Sequence, residues 1–218
     1  MFTGIVTGLG RIVDVQPLGD SDAHGRRLTL ETPPGYLDDV QHGDSIALNG
    51  ACMTATGFDA ERRRFTVDVS AESLAKTAGL DRPGPVNLEK AVRPQDRLGG
   101  HLVSGHVDGL GTVTRFAAVG ESYELCVLAP PALARYLAYK GSITVNGVSL
   151  TVNRVVDTPD GAEVSINLIP HTVANTTLGS LAAGHRVNLE IDLIARYVER
   201  MLTAGAGVAG ASSTRPGG

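Results

Sequence analysis

Apolar and polar positions alternate one for one in short runs along most of this chain. Arg27-Leu-Thr-Leu-Glu31, Ser45 to Leu48, Phe65 to Val69 and Val86 to Glu89 are such runs, rich in Val, Ile and Thr. A period of two sends successive side chains to opposite faces, so each run predicts a half-buried strand. Short helices fit Ala71 to Ala78 and His171 to Thr177. Pro33-Pro34 and Pro130-Pro131 each open an apolar-spaced stretch, 36–40 and 133–137, that predicts one more. Gly8-Leu-Gly10 and Gly109-Leu-Gly111 read as β-bulge or turn glycines. Near the end the period changes. Ile191, Ile194, Val198 and Met201 fall at heptad a/d spacing and predict a helix over 191–203 with one apolar stripe, packed on its own barrel or building an oligomer. The Gly, Ala, Ser and Pro run 204–218 predicts a disordered tail.

The pattern occurs twice, in the same order. Phe2-Thr-Gly-Ile-Val-Thr-Gly-Leu-Gly10 recurs as Val103-Ser-Gly-His-Val-Asp-Gly-Leu-Gly111, and Ser45-Ile-Ala-Leu-Asn-Gly-Ala-Cys-Met-Thr54 as Ser142-Ile-Thr-Val-Asn-Gly-Val-Ser-Leu-Thr151. Phe65-Thr-Val-Asp-Val69 matches Val164-Ser-Ile-Asn-Leu168, and Val86-Asn-Leu-Glu89 is identical to Val187-Asn-Leu-Glu190. Five collinear blocks, the paired prolines included, establish a duplication. Several short strands per repeat, divided by Gly and Pro turns, predict a small closed or nearly closed antiparallel barrel in each half. The first barrel spans 1–97 and the second 98–190, with a linker around Arg93 to Gly100.

Composition narrows the function classes. Hydrophobic residues are 42% and charged residues 19%, enough for a real core, and with aromatics at 4% that core is aliphatic. A net charge of -4 gives no basic field for nucleic acid. No stretch approaches the roughly 18 apolar residues of a membrane span, and residues 1–13 lack a signal peptide's basic start. Two cysteines, Cys52 and Cys126, exclude a disulfide framework, so a cytoplasmic location is expected. His101 and His106 lack the Cys or carboxylate neighbours a metal site needs, and no metal is expected.

Asn49-Gly50 and Asn146-Gly147 are hairpin turns by default. Cys52 with Thr54, and Ser149 with Thr151, follow them, each pair on one side of a strand. A polar pair repeated in both halves suits a heteroaromatic ligand with donors and acceptors along one edge.

Met1-Phe-Thr-Gly-Ile-Val6, Gly99-Gly-His-Leu-Val-Ser-Gly-His-Val107, the Asn-Gly-x-Cys/Ser-x-Thr pair and Leu168-Ile-Pro-His-Thr172 together resemble the riboflavin synthase family, the α-chain type with two lumazine-binding repeats. The resemblance spans about residues 1–202. It departs at Ala51, where some members carry Cys. It implies six-stranded Greek-key barrels, a homotrimer assembled by C-terminal helices, and sites between the first barrel of one subunit and the second barrel of a neighbour. The implied reaction is a dismutation of two 6,7-dimethyl-8-ribityllumazine molecules to riboflavin and 5-amino-6-(D-ribitylamino)uracil, without cofactor. A non-catalytic lumazine- or flavin-binding protein of the same repeat family is the alternative, and the resemblance says nothing of association with lumazine synthase.

Ligand contacts implied for the first barrel are Gly4, Ile5, Val6, Cys52, Met53, Thr54, Asp68, Val69, Ser70, Ala71, Glu72 and Ser73. Those for the second are Gly105, His106, Val107, Lys140, Ser149, Leu150, Thr151, Asn167, Leu168, Ile169, Pro170, His171 and Thr172. Among these, His106 is the expected proton carrier and Cys52 or Ser149 the group that adds to, or directs water onto, the ring. Asp192 is expected either to orient Ser149 or Thr151 or to cap the last helix. Two identical substrates with different roles require unlike halves, and the halves differ at Ile5/His106, Cys52/Ser149, Ser73/Thr172 and Ala91/Asp192.

Overall fold

The computed structural model describes residues 1–21 and 23–209, with side chains to residue 204. The first repeat contributes β1 (Gly8–Pro17), β2 (Arg26–Glu31), β3 (Ser45–Leu48), β4 (Ala51–Phe58), β5 (Arg64–Val69) and β6 (Gly84–Lys90). The second contributes β7 (Gly109–Val119), β8 (Ser122–Ala129), β9 (Ser142–Val145), β10 (Val148–Thr158), β11 (Gly161–Leu168) and β12 (Arg186–Ile191). Each set closes into an antiparallel barrel, in the order β1-β2-β5-β4-β3-β6 and its equivalent β7-β8-β11-β10-β9-β12. The interiors match position by position. Leu28, Leu30, Ile46, Leu48, Val67 and Leu88 fill one, and Leu125, Val127, Ile143, Val145, Ile166 and Leu189 fill the other. Burying each such side chain stabilises the fold by about 1.5–3 kcal/mol.

No bulge lies at Gly8, Gly10, Gly109 or Gly111. Register slips between Ile12 and Asp14 and, in the same place of the other repeat, between Val113 and Arg115. Gly10 and Gly111 sit inside β1 and β7 for a packing reason: a Cβ on either would come within 2.6 Å of Leu88 or Val127. Both Asn-Gly pairs are hairpin turns with two positive φ angles, 45° and 85° for Asn49 and Gly50, 49° and 77° for Asn146 and Gly147. The two turns abut, a Cβ on Gly50 falling 2.7 Å from the Gly147 nitrogen.

The helices are α1 (Ala71–Lys76), α2 (Pro131–Ala134), α3 (Pro170–Asn175) and α4 (Leu193–Ala209). Stretch 36–40 is a chain of tight turns rather than a helix, entered from Gly35 at a φ of 77°. Ile191 ends β12 and is buried, so it is not part of the helical stripe. On α4 polar residues meet the second barrel: Glu199 meets Arg135 at 3.0 Å and the Tyr136 hydroxyl, and Arg196 meets Asp108 at 2.6 Å. Ile194, Tyr197, Val198, Met201 and Leu202 face outward, each at least 50% exposed. The apolar stripe is therefore not packed on its own barrel. The helix also continues through 204–209, where a disordered tail was expected; 210–218 lie outside the described residues. No helix among the described residues is long and apolar enough to cross a membrane.

Candidate functional site

The two barrels are joined by matched polar groups. Asn49 Oδ1 accepts the Asn87 N–H and Asn146 Oδ1 accepts the Asn188 N–H, at 2.9 and 2.8 Å. Asn87 Nδ2 then donates to the Asn146 carbonyl and Asn188 Nδ2 to the Asn49 carbonyl. Four buried asparagines are thus linked to one another across a pseudo-twofold axis. Phe2 and Val103 exchange backbone bonds of 2.8 and 3.1 Å on the same axis.

From that point the loop opening each repeat crosses to the other barrel. The carboxylate of Glu89, at the end of β6, accepts from Thr3 N, Thr3 Oγ1 and Gly4 N at 2.7, 2.8 and 3.0 Å. Glu190 does the same for Ser104 and Gly105 at 2.7, 2.7 and 3.0 Å. Burial pushes both carboxyls above the usual range, and these hydrogen bonds pull back down. The Gly4 carbonyl then accepts from Ser149 N, and the Gly105 carbonyl from Cys52 N, each at 2.8 Å. Gly4 and Gly105 have φ angles of 76° and 80°, and a Cβ on either would lie 2.6 Å from Ser149 Cβ or 2.7 Å from Cys52 Cβ. Only glycine fits there.

Val6 accordingly packs on the core of the second barrel, and Val107 on that of the first. The expected grouping is corrected by exchange: Gly4 to Val6 belong with Ser149, and Gly105 to Val107 with Cys52. The Glu89 and Glu190 tethers are the physical reason, since each holds its loop where it can only reach across the axis.

The first mouth is a cleft of about 260 Å³, lined by Cys52, Glu72, Ser73, Lys76, Thr77 and the loop 105–107. His106 stands exposed on its rim, its N–H held by Ser104 Oγ at 3.3 Å. Ser70 caps α1 by accepting from Ser73 N at 3.0 Å, which presents Ala71, Glu72 and Ser73 beside the cleft. Met53 and Val69 point into the barrel core, so only their backbone faces outward, whereas Thr54 is exposed. Asp68 is held by Nε and Nη2 of Arg27, at 2.7 and 2.8 Å, which keeps its carboxyl below the usual range.

The second mouth differs in chemistry. Ser149 Oγ lies 2.8 Å from His101 Nδ1, a half-buried imidazole whose pKa burial lowers and Asp192 partly restores. His101 Nε2 is buried without a partner. Ile5 faces this mouth where His106 faces the other, and Gly100 lets the chain pass against Ser149. Leu150 and Leu168 point into the core; Thr151, Asn167, Ile169, Pro170 and His171 are exposed and Thr172 partly so. Lys140, at a φ of 62°, donates to Asn153 Oδ1 at 3.0 Å.

Asp192 serves as the cap of α4, its Oδ1 accepting from Ile194 N at 2.9 Å, and it is His101 that holds the Ser149 hydroxyl. Sequence reasoning passed over His101, having weighed it only as a metal ligand. It also passed over Glu89 and Glu190, although their place in an identical tetrapeptide ending both repeats was visible. A larger groove of about 460 Å³ near Asp39, Lys90 and Arg93 is self-neutralised, Asp39 pairing with both cations. No cluster of three or more metal-ligating side chains occurs among the described residues.

Comparison with known proteins agrees with the duplication. The lumazine binding domain model matches twice, at residues 3–91 and 104–192. The riboflavin synthase of Mycobacterium tuberculosis is 46% identical over 206 residues, covering 93% of this chain and 98% of its own. That of Photobacterium phosphoreum is 42% identical, covering 93% and 89%, and that of Bacillus subtilis 40%, covering 93% and 90%. Among solved structures, LumP complexed with riboflavin superposes with a TM-score of 0.74 at 26% identity, over 88% of this chain and 99% of that one. With paired lumazine-binding repeats along most of its length and such relatives over 93% of it, the chain belongs to the riboflavin synthase family.

Proposed function

We infer that this chain dismutates two molecules of 6,7-dimethyl-8-ribityllumazine, transferring a four-carbon unit from one to the other to give riboflavin and 5-amino-6-(D-ribitylamino)uracil. The atoms of two substrates equal those of the two products, so neither oxidant nor cofactor is needed. The observation that carries this reading is the pair of related but chemically unlike mouths. Each offers one ligand position on a barrel rim, and donor and acceptor must be treated differently.

In this mechanism the second mouth supplies the base. His101, kept neutral by burial, takes the Ser149 proton or a proton relayed through it as the acidic ring methyl of one lumazine is deprotonated. The first mouth presents Cys52 for addition to the ring of the other lumazine, with His106 to carry protons at its rim. Thr54 and Thr151, with the backbone of the crossing loops, orient the heterocycles. Holding the two rings face to face contributes about 7–11 kcal/mol of the barrier.

A cleft of about 260 Å³ is smaller than the usual small-molecule site and lacks an outer wall. The second mouth of another subunit is the wall we assign to it, in a homotrimer gathered by the outward apolar stripe of α4. The cytoplasm is the assigned location.

Incubating the protein with the lumazine alone tests the reading. Riboflavin fluorescence should grow, with one uracil product per riboflavin. Saturable binding without product would replace it with the non-catalytic ligand-binding alternative.

A further inference from the structure

A cavity of about 390 Å³ opens on the seam between the barrels and shares no lining residue with the first mouth. Its charged lining groups are Arg82 from the first repeat and Arg186 from the second, with His185 beside them; no carboxylate lines it. Neither arginine has an acidic partner among the described residues, although most other cations of the surface do. Two unpaired guanidinium groups on one cavity, from opposite halves of a chain of net charge -4, are an unusual concentration of positive field.

Hydrogen-bond donors stand among the other lining residues of this cavity. Asn49 and Asn146 are only 6% and 8% exposed, and each has its Oδ1 committed to a backbone N–H. That fixes the other arm of each as an NH2 group, a donor that has no partner among the described residues. Asn49 Nδ2 points at Gly79, where a Cβ would lie 3.5 Å from it. Thr177 Oγ1 is likewise buried with no hydrogen-bond partner. His185 Nδ1 accepts from Ala182 N at 3.2 Å, which places a proton on Nε2 and makes that atom a donor too. Of these donors the Thr177 hydroxyl is the one that is buried and unpaired, which is costly, while the amide and imidazole groups remain open to the cavity.

We propose that this seam is a phosphate-binding site, taking inorganic phosphate or a phosphomonoester between Arg82 and Arg186. A dianion of that size, with three charged acceptor oxygens, can accept from the amide, hydroxyl and imidazole donors together, and guanidinium groups pair with phosphate oxygens two at a time. Because the ligand touches both repeats, it clamps the barrels together and binds the folded chain only.

Isothermal titration of the full chain with inorganic phosphate, and separately with glucose 6-phosphate, at constant ionic strength tests this. Saturable binding of at least one is expected, together with a rise in Tm that chloride does not reproduce. Tighter binding of the ester marks an organic phosphate as the occupant, and tighter binding of the free ion marks phosphate itself. In Arg82→Ala/Arg186→Ala, both groups being on the surface, affinity should fall about tenfold or more, and Thr177→Val should weaken binding with no change of volume. Binding that neither variant alters, or no saturable binding by either probe, overturns the proposal.

Discussion

The two repeats are alike where they touch each other and unlike where they face outward. Asn49, Gly50, Asn87 and Glu89 have identical counterparts in Asn146, Gly147, Asn188 and Glu190, and all eight build the joint on the pseudo-twofold axis. A symmetric contact needs the same residue on both sides, since each member is donor to one partner and acceptor from another. The mouths have no such requirement. Cys52 sits against Phe2 and Ala47, while Ser149 is held by His101, and Ile5 stands where the other loop has His106. Duplication thus supplies geometry, and in the proposed reaction divergence at a few rim positions supplies two chemical roles.

The largest expected effect comes from the element that only the second repeat carries. Ending the chain after Asp192 removes α4 with its outward stripe and should leave monomers by sedimentation, with turnover lowered about a thousandfold because each site then lacks its facing mouth. A demonstrated monomer of full activity would break the comparison, since the mouths of one chain would then suffice.

Next is the base proposed for the second mouth. Ser149→Ala and His101→Gln should each lower kcat roughly 100-fold or more with a smaller change in KM, and the double variant should be little worse than either, as for groups acting as a unit. Burial lowers the pKa of His101 below 6.5, so its neutral, proton-accepting form persists below pH 6.5 and is lost only as pH falls through the folded value. The same shift contributes stability that is present above pH 6.5 and lost on acidification through the folded value. The acidic limb of the rate profile should therefore lie below pH 6.5 and vanish in His101→Gln. An unchanged profile would make His101 a packing residue.

How far the sequence reaches can be judged on these residues. The duplication, the barrels and the Asn-Gly turns follow from local pattern: alternation, turn chemistry and repeated order are all properties of short segments. Which barrel a loop visits is not. Gly4 to Val6 carry no local mark of crossing; the crossing is enforced by Glu89, and a carboxylate's donors cannot be identified until both are placed in space. The Ser149 partner escaped for a related reason, since His101 lies just past the linker, 48 positions away. The helix beyond 203 runs against its glycines, Gly205 and Gly207, so reading Gly as a breaker ended it too early.

The tethers should behave alike, in contrast with the mouths. Glu89→Gln and Glu190→Gln each replace an oxygen that accepts a buried N–H by an NH2 group, and each should cost about 2 kcal/mol, some 30-fold in the folding equilibrium. Both carboxyls have raised pKa values, so each contributes stability fully present below pH 4.5 and lost as pH rises through the folded value. Each variant should flatten that slope in Tm measured from pH 4 to 7. Unequal losses would show that the joint is less symmetric than its hydrogen bonds.

The smallest effect, and the sharpest for the comparison, belongs to Cys52→Ser, which makes the strand positions of the two mouths identical. Nothing in the joint changes: the Cys52 N–H still donates to the Gly105 carbonyl, and a hydroxyl is close to a thiol in size. Stability should move by less than about 1 kcal/mol. If the two mouths differ in role because sulfur adds to the ring and oxygen does not, kcat should fall about tenfold while lumazine affinity holds, and the reciprocal Ser149→Cys should not restore it, since that sulfur would stand beside His101 in the opposite mouth. An unchanged kcat for Cys52→Ser would move the distinction between donor and acceptor away from this pair, onto Ile5 and His106.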